Sequence, residues 1–337
     1  MRPRFYIGID IASESFCAAL YQEGEQKRET LSFANEDTGF DSFTQWLTSQ
    51  GVTEGNSIIC LECTGVYNEA LIYWLAAHQW QIAVEAPQHV KRGMGKPQKN
   101  DSVDAQQIAE YAFRYYDKLH RWQAPESALE RISTLLTTRE QCQKHRTAVQ
   151  NTLTALKRKV IRTPAAETIL DEQLKSLKEQ VRRLDAEIKN EIQSNDDFRQ
   201  MSELAESVPG VGMMLTAQLL VLSDGLRRKL HHKELASYLG ICPHEHQSGS
   251  SVYRNPRSRQ SGPSTIRRLL FLAAMSVRRH EKRFQRYFED KKAHNKPGRL
   301  ILNNIANKLL KILCAVINSG KTFNAAYISQ RPMPKSA

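Results

Sequence analysis

The first 120 residues alternate between extended and helical patterns, and this order constrains the fold more than any other feature of the chain. Three short strand-like runs come first: Phe5 to Ile9, Phe16 to Tyr21 and Glu29 to Phe33. Helical and extended stretches then alternate over residues 40–47, 57–62, 67–77 and 81–85. With a further helix over Ser102 to Tyr116, the order βββαβαβα predicts a mixed sheet flanked by helices.

The pattern changes near residue 126, where apolar residues begin to recur at heptad spacing. The two series are Val149, Leu153, Leu156, Val160 and, after Pro164, Leu170, Leu174, Leu177, Val181, Leu184, Ile188. Two long helices joined near Pro164 are therefore predicted to form an antiparallel coiled-coil hairpin. Such a hairpin either projects as an arm or contacts another protomer.

The residues after 200 are predicted to form helices joined by loops. The predicted helices cover Leu235–Leu239, Ile266–Arg279 and Ile301–Ile317, after one that opens at Val208–Gly212. The Gly-rich stretch Val208–Gly212 resembles a helix-hairpin-helix turn that binds phosphate, although a plain connection between helices explains it equally well. Between Gly240 and Pro263 we expect a long irregular insert, a kind of segment that often carries function.

These patterns predict an α/β plus α protein with four parts. They are residues 1–125, a helical connector at 126–200, a mainly helical domain at 201–330 and a tail at 331–337.

The positive charge of the chain is concentrated in its last third. The 337 residues include 48 Lys plus Arg and 36 Asp plus Glu, which gives a formal net charge of +12. Residues 201–337 hold 23 of the basic side chains and only 8 of the acidic ones. A solvated surface explains some excess of this kind, but its size favours binding to the phosphates of nucleic acid.

Neither a membrane segment nor a disulfide framework is expected. Apolar runs such as Ala70–Ala77 are much shorter than the roughly 20 residues that a bilayer-spanning helix requires. The first residues lead directly into a strand rather than into a signal peptide, so we expect a cytoplasmic, nucleoid-associated protein. The six cysteines are scattered, and the pair Cys60 and Cys63 has no second pair nearby, so reduced thiols are predicted.

Four carboxylates are placed where they can converge. Asp10 and Glu62 each end a predicted strand, while Asp101 and Asp104 share one face at the start of a helix. Converging carboxylates repel one another unless divalent cations neutralise them, and oxygen ligands suit Mg²⁺ or Mn²⁺. Any one of these acids alone is weak evidence, since Asp101 is also explained as a helix N-cap and Asp10 as a turn residue, and the prediction of a metal site depends on all four together.

Three motifs around these acids resemble the DEDD transposases of insertion sequences, of the insertion-sequence one-ten type that includes the pilin-gene invertases. The motifs are Ile7-Gly8-Ile9-Asp10-Ile11-Ala12, Leu61-Glu62-Cys63-Thr64-Gly65 and Lys99-Asn100-Asp101-Ser102-Val103-Asp104-Ala105. The resemblance spans nearly the whole chain. It implies a RuvC-like, RNase H-fold N-terminal domain, a coiled-coil connector and a C-terminal transposase domain. In some members a noncoding bridge RNA pairs with target and donor DNA.

The resemblance also implies that Ser248 is the nucleophile, because it precedes a glycine in the corresponding motif. A serine hydroxyl can attack a phosphodiester and hold the strand as a phosphoserine ester. Ser261 is a rival on local sequence, since glycine follows it as well. His244 and His246 are interpreted as solvent or phosphate contacts.

Basic residues close to these motifs are predicted to bind nucleic acid through charge-assisted hydrogen bonds to phosphate. They are Lys91, Arg92, Lys96 and Lys99 in a basic loop, and Arg254, Arg257, Arg259, Arg267 and Arg268.

Together with this resemblance, the sequence predicts a Mg²⁺-dependent, site-specific DNA recombinase that works as a dimer or tetramer on DNA, and the resemblance implies a guide RNA as partner. One alternative is a RuvC-like nuclease that hydrolyses branched DNA with metal-activated water and needs no serine. A second is a basic nucleic-acid-binding scaffold whose acids have no catalytic role.

Overall fold

The computed structural model describes residues 2–22, 29–63, 65–94, 101–225, 230–248, 252–258 and 262–326. Within these ranges, only the backbone of residues 244–248 and 252–257 is described. The chain divides into two compact units, Met1–Ala124 and Pro125–Ala337.

The first unit is built on a five-stranded mixed sheet. Its elements are β1 Phe5–Ile11, β2 Ser15–Gln22, β3 Glu29–Ala34, α1 Asp37–Ser49, β4 Ser57–Glu62, α2 Glu69–Ala77, β5 Ile82–Glu85, α3 Pro87–Met94 and α4 Asp101–Arg114. The strand order is β3-β2-β1-β4-β5, with β1 antiparallel to β2 and parallel to β4. The predicted mixed sheet with flanking helices is confirmed.

Alternation along β1 divides its side chains between two cores. Ile7 and Ile9 join a cluster with Phe40 of α1 and Leu71 of α2 on one face of the sheet. Tyr6 points to the other face, where Ile108 of α4 covers it. Gly8 and Asp10 follow Tyr6 at intervals of two and therefore belong to the α4 face.

The prediction of a basic loop from Lys91 onward is wrong for its first part. Lys91 and Arg92 lie on α3, which begins at Pro87 and buries Val90. Proline is well tolerated at the first position of a helix because its missing N–H has no intrahelical partner there. One buried apolar residue on so short a helix is too little for a recognisable helical period.

In its described residues, the second unit is helical apart from one β-hairpin. Its elements are α5 Ser127–Leu156, α6 Pro164–Ser194, α7 Asp196–Glu206, α8 Met213–Leu222, α9 His232–Tyr238, β6 Pro243–Ser248, β7 Val252–Ser258, α10 Ser264–His280, α11 Lys282–Ala293 and α12 Gly298–Ser319. The sequence did not reveal α11, because most of its residues are charged and only Phe284 and Phe288 are buried.

Helices α5 and α6 pack antiparallel. The ion pairs between them are Arg131 with Glu191, Arg139 with Asp185, and Lys157 with Asp171. Residue numbers increase along α5 while those of the partners on α6 decrease, as antiparallel helices require. Most of the predicted apolar series is buried or half-buried, but its extension to Val160 is wrong. Because α5 ends at Leu156, Val160 lies in the connection and is 99% exposed. The interdigitated packing of a coiled coil stays a prediction.

The prediction of a long irregular insert between Gly240 and Pro263 is wrong in part, because the segment contains two paired strands. Strands β6 and β7 pair antiparallel from Pro243 opposite Ser258 to Ser248 opposite Val252, with an irregularity between His244 and His246. The ladder is formed by backbone hydrogen bonds between strands of mostly polar residues. The alternating apolar pattern that predicts a strand is therefore missing from the sequence.

Helix α12 is a core element of the second unit. Among the described helices it alone is long and apolar enough to cross a membrane, but more than half of its most apolar stretch is buried inside the protein. Ile305, Leu309 and Leu313 are almost completely buried in the main hydrophobic cluster of this unit. We therefore interpret α12 as a core helix.

Candidate active site

Asp10 and Glu62 lie side by side at one edge of the sheet. Strands β1 and β4 run parallel with Phe5 opposite Ser57 and Ile9 opposite Leu61, so Asp10 and Glu62 are the next positions along. Both carboxylates are only partly exposed. The sequence prediction that two strand ends bring these acids together agrees with this register.

Helix α4 approaches β1 very closely, and this contact positions its first turn. A Cβ atom added to Gly8 would lie 2.2 Å from the backbone oxygen of Ala105 and 2.2 Å from the backbone nitrogen of Ala109. Ala105 and Ala109 are themselves fully buried. Because no side chain separates the two backbones, the start of α4 lies beside the end of β1, and it carries Asp101 and Asp104.

The electrostatics of Asp10 show that the four carboxylates interact. Burial raises the pKa of Asp10 from 3.8 to about 6, and the charges of Asp104, Asp101 and Glu62 add to the increase. Burial also raises the pKa of Glu62, with a contribution from Asp104, while the positive charge of Lys91 on α3 acts in the opposite direction. The protein therefore holds an excess of negative charge in a partly buried place.

This arrangement fits a hard divalent cation. Carboxylate oxygens are the ligands that Mg²⁺ and Mn²⁺ prefer, and burial together with three neighbouring carboxylates disfavours the ionised form of Asp10. A bound cation would supply compensating positive charge. Asp10, Glu62, Asp101 and Asp104 are the residues that can hold it.

The base of the β6–β7 hairpin is fastened by two side chains. Arg267 Nη1 donates to the carbonyl oxygens of Leu239 at 3.1 Å and of Gly262 at 2.9 Å. Asn303 Nδ2 on α12 donates to Ile241 O at 2.8 Å. Both ends of the hairpin are thereby attached to the helical body, and the predicted nucleophile Ser248 is the last residue of β6.

Glycine is required where the chain leaves the hairpin. Gly262 has a φ of +73°, and a Cβ atom there would lie 2.2 Å from Tyr238 O. The close contact brings the end of α9 and the start of α10 together, which is where Arg267 donates its hydrogen bonds.

The two predicted phosphate ligands on α10 already have partners within the chain. Arg267 bonds to the carbonyls just described, and Arg268 Nη2 donates to Glu140 Oε2 on α5 at 2.6 Å. Sequence reasoning missed the fastening role of Arg267 and of Asn303, because their partners are backbone oxygens, two of which lie 28 and 62 residues away.

The structure describes the other predicted binding residues and the two candidate serines to different extents. Lys91 and Arg92 are exposed on α3. Backbone register sets Arg254 opposite His246 and Arg257 opposite His244, and the side chains of these residues and of Ser248 lie outside the described part. Four others lie wholly outside the described residues: Lys96, Lys99, Arg259 and Ser261.

The turn at Val208–Gly212 connects α7 to α8. Gly210 has a φ of +79°, and a Cβ atom there would approach Val277 Cγ1 to 2.8 Å and Ala273 O to 3.0 Å. Contact with α10 therefore accounts for this glycine. Phosphate binding by the turn stays a prediction.

A second cluster of ligand-type side chains lies at the end of β5, and sequence reasoning missed it. Glu85, His89 and His120 each offer one atom within 4.8 Å of the others. The spacing of four between Glu85 and His89 is visible in the sequence. The participation of His120 is not visible there, because this residue lies 35 positions after Glu85 and comes close to it only in the folded chain.

The chain is similar to transposases over most of its length. One family model, of the DEDD IS110 type and described as Transposase, matches residues 7–161. Another, described as Transposase IS116/IS110/IS902 family, matches residues 202–289.

Two relatives cover almost the whole chain. The pilin gene-inverting protein of Moraxella lacunata is 27% identical over 323 residues, which is 95% of this chain and 97% of that protein. The pilin gene-inverting protein of Moraxella bovis is 27% identical over 324 residues, with the same coverage. An uncharacterized 43.6 kDa protein of insertion element IS110 from Streptomyces coelicolor is 28% identical over 153 residues, which is 45% of this chain and 36% of that protein.

Proposed function

Because this chain belongs to the IS110 family of transposases and is a DNA recombinase, we propose that it cuts and rejoins DNA strands at specific sites at the ends of an insertion element. The observation that carries the proposal is the convergence of Asp10, Glu62, Asp101 and Asp104 at one edge of the sheet. Inversion of a DNA segment, which the names of the Moraxella relatives describe, is a reaction of the same class.

The four carboxylates would hold Mg²⁺ or Mn²⁺ and fix where the scissile phosphate is bound. When bound, the cation supplies positive charge that stabilises the attacking and leaving oxygens of a phosphoryl transfer. Asp10 and Glu62 are fixed by the strand register, while Asp101 and Asp104 are fixed by the contact of α4 with Gly8. Lys91 adds a positive charge that acts on Glu62 and is available to a phosphate.

Ser248 is the proposed nucleophile. Its Oγ forms an ester bond to the phosphorus, the bond from phosphorus to the neighbouring nucleotide oxygen breaks, and that oxygen takes up a proton to become a hydroxyl. Attack of a different strand's hydroxyl on the phosphoserine ester rejoins the DNA without an external energy source. Arg254, Arg257 and Arg259 bind the phosphate and stabilise the charge that develops on it.

The first unit is proposed to be a RuvC-like RNase H fold, followed by a coiled-coil connector at 126–200 and a C-terminal transposase domain at 201–330. Support comes from the sheet order β3-β2-β1-β4-β5, in which two parallel pairs, β1–β4 and β4–β5, follow an antiparallel meander, with Asp10 on the central strand.

A noncoding guide RNA and the element's DNA are the proposed partners, in the cytoplasm at the nucleoid. The excess of 23 basic over 8 acidic residues in 201–337 supports this, since each phosphate that is bound releases counterions. Both nucleic acids present phosphates, so this charge serves either.

The test uses the full-length protein with its co-purifying RNA, Mg²⁺ and end-labelled DNA that carries the element junction. We expect a protein–DNA adduct that survives denaturing electrophoresis and is absent with Ser248→Ala. Ser261→Ala is the matched control, because it removes the hydroxyl of the other serine in this region that a glycine follows, and it should leave the adduct intact.

Three other outcomes would overturn parts of the proposal. Nicked DNA without an adduct, unaffected by Ser248→Ala, would assign a nuclease that uses metal-activated water. Recombination that survives Asp101→Asn would remove the carboxylate cluster from the chemistry. Adduct formation that persists after RNase treatment would remove the guide RNA.

A further inference from the structure

Glu85 holds its carboxylate in the interior between two histidines. Its side chain has no exposed surface, at the carboxyl end of β5. Glu85 Oε2 lies 3.2 Å from His89 Nδ1 on α3, and Glu85 Oε1 lies 3.0 Å from His120 Nδ1. The backbone N–H of His120 also donates to Glu85 Oε1 at 2.9 Å. Three separate segments of the chain thus meet at one carboxylate.

One ligand atom from each of the three residues lies within 4.8 Å of the other two, so a single ion can be reached by all three. With Zn–N and Zn–O bonds of about 2.0–2.1 Å, two tetrahedral ligands lie about 3.3 Å apart. The separations of 3.2 and 3.0 Å, each from a different oxygen of Glu85, are near this value and are also hydrogen-bond distances, so a bound ion would take the place of the Nδ1 protons. The centroids of the two histidine rings lie 6.0 Å apart, and the ring planes are inclined by 26°.

The ligand types distinguish this cluster from the DEDD carboxylates. Two imidazoles with one carboxylate suit Zn²⁺ and neighbouring transition metals, whereas a set of carboxylates alone suits Mg²⁺ or Mn²⁺. The backbone N–H of His120 donates to Glu85 Oε1 at 2.9 Å, and each imidazole presents an unprotonated Nδ1 to an ion in the tautomer that carries its proton on Nε2. The imidazoles of His89 and His120 are 49% and 70% exposed, which gives an ion access from solvent.

We propose that Glu85, His89 and His120 form a binding site for Zn²⁺ or a similar transition-metal ion. The ion would fasten the start of α3 and the segment around His120 to β5. Because Glu62 and Glu85 are paired in the β4–β5 register, the site adjoins the carboxylate cluster, and α3 also carries Lys91. Three protein ligands leave coordination positions for water.

The test is a calorimetric titration of the metal-stripped full-length protein with Zn²⁺ in the presence of saturating Mg²⁺. We expect one equivalent of Zn²⁺ per chain, with affinity reduced by at least ~10-fold in His89→Ala and in His120→Ala. His78→Ala is the matched control, because it removes an exposed histidine from the same unit without touching the cluster. Asp104→Asn should leave Zn²⁺ binding unchanged.

Two further measurements keep the outcome decisive. Co²⁺ in place of Zn²⁺ should give visible absorption typical of tetrahedral ligation, and this should disappear in His120→Ala. Zn²⁺ should raise the melting temperature of the parent protein and of His78→Ala but not that of Glu85→Gln, whose neutral amide keeps the shape of the side chain.

The proposal is overturned if no stoichiometric Zn²⁺ binds, if His89→Ala binds it as tightly as the parent protein does, or if Asp104→Asn alone abolishes binding. The last result would assign the ion to the carboxylate cluster. Recombination activity is not part of this readout, so failure here and failure of the serine mechanism are distinguishable.

Discussion

Asp10 occupies a position that disfavours its own negative charge. Partial burial and three neighbouring carboxylates raise its pKa to about 6, so at neutral pH the metal-free protein carries repulsion that the unfolded chain avoids. Residues kept for binding or chemistry often lower stability in this way. The cost should be measurable when the carboxylate is replaced by an amide of the same shape.

Asp10→Asn should abolish recombination and yet raise the melting temperature in EDTA at pH 7.5, by about 2–4 °C for each kcal/mol of repulsion removed. Mg²⁺ should stabilise the parent protein and leave the variant unchanged, because the variant has lost a ligand. Differential scanning calorimetry with and without Mg²⁺ checks both effects. A variant that melts below the parent protein in EDTA would contradict the electrostatic argument.

The advantage of Asp10→Asn should depend on pH in a defined window. The native carboxyl titrates near 6 and the unfolded one near 3.8, so the native state holds the extra proton between these values. The stability of the metal-free parent protein should therefore rise relative to the variant as pH falls from 6 toward 3.8. Chemical denaturation at pH 7.5 and pH 5 measures the change.

Individual site residues were predictable to different degrees. Asp10 and Glu62 were recognisable because each ends a strand, and Asp101 with Asp104 because their spacing places them on one helical face. Nothing in the sequence separates Arg267, which bonds backbone carbonyls, from arginines available to phosphate. Long-range partners of this kind become visible only when the chain is folded.

At the level of secondary-structure elements, the contact between α4 and β1 depends on one glycine. Gly8→Ala should reduce stability by about 1–3 kcal/mol, because a methyl group would overlap the backbone of α4 at 2.2 Å. Activity should fall further than stability, since α4 carries Asp101 and Asp104. Gly55→Ala is the control, since a Cβ there meets nothing within 4 Å. Equal activity of the two variants in recombination assays would contradict this account.

Arg267 should act on the β6–β7 hairpin rather than on DNA. Arg267→Ala should lower the rate of adduct formation while leaving the salt dependence of DNA binding unchanged, because no phosphate contact is lost. Arg268→Ala is the comparison, since it loses only an exposed pair with Glu140 worth about 0–1 kcal/mol. DNA affinity measured over a series of salt concentrations decides the matter. A shallower salt slope in Arg267→Ala would return this residue to phosphate binding.

Elements with a clear apolar period were predicted well, and the others were not. Strand β4 has the predicted bounds of 57–62, because its apolar run is buried on both faces of the sheet. Strands β6 and β7 and helices α3 and α11 escaped prediction because few of their residues are apolar. Their structure depends on backbone ladders or on one or two buried side chains.

For the whole molecule, the tip of the α5–α6 pair is a place where copies of the chain are expected to meet. Val160 is 99% exposed and Ile161 83% exposed, in the connection between the helices. Exposed apolar residues grouped together often mark an interface. We expect Val160→Asp with Ile161→Asp to shift the protein to smaller species in size-exclusion chromatography with light scattering, and to lower recombination.

Lys159→Asp is the control for this charge change. It alters the net charge by the same two units at a neighbouring exposed residue and removes no apolar surface. Assembly should be unchanged in this variant. Loss of assembly in both variants would show that charge, not apolar contact, governs association.

The close contact at Gly8 also bears on how the reaction is controlled. Because the backbones of α4 and β1 are in direct contact at Gly8, α4 cannot shift along the sheet without a steric clash. Asp101 and Asp104 are therefore in position before any substrate arrives. A cluster that is permanently assembled cannot be switched by building or dismantling it. In the proposed mechanism, the moment of strand cutting is then set by the arrival of nucleic acid and of Ser248 at the cluster, which makes timing a matter of assembly.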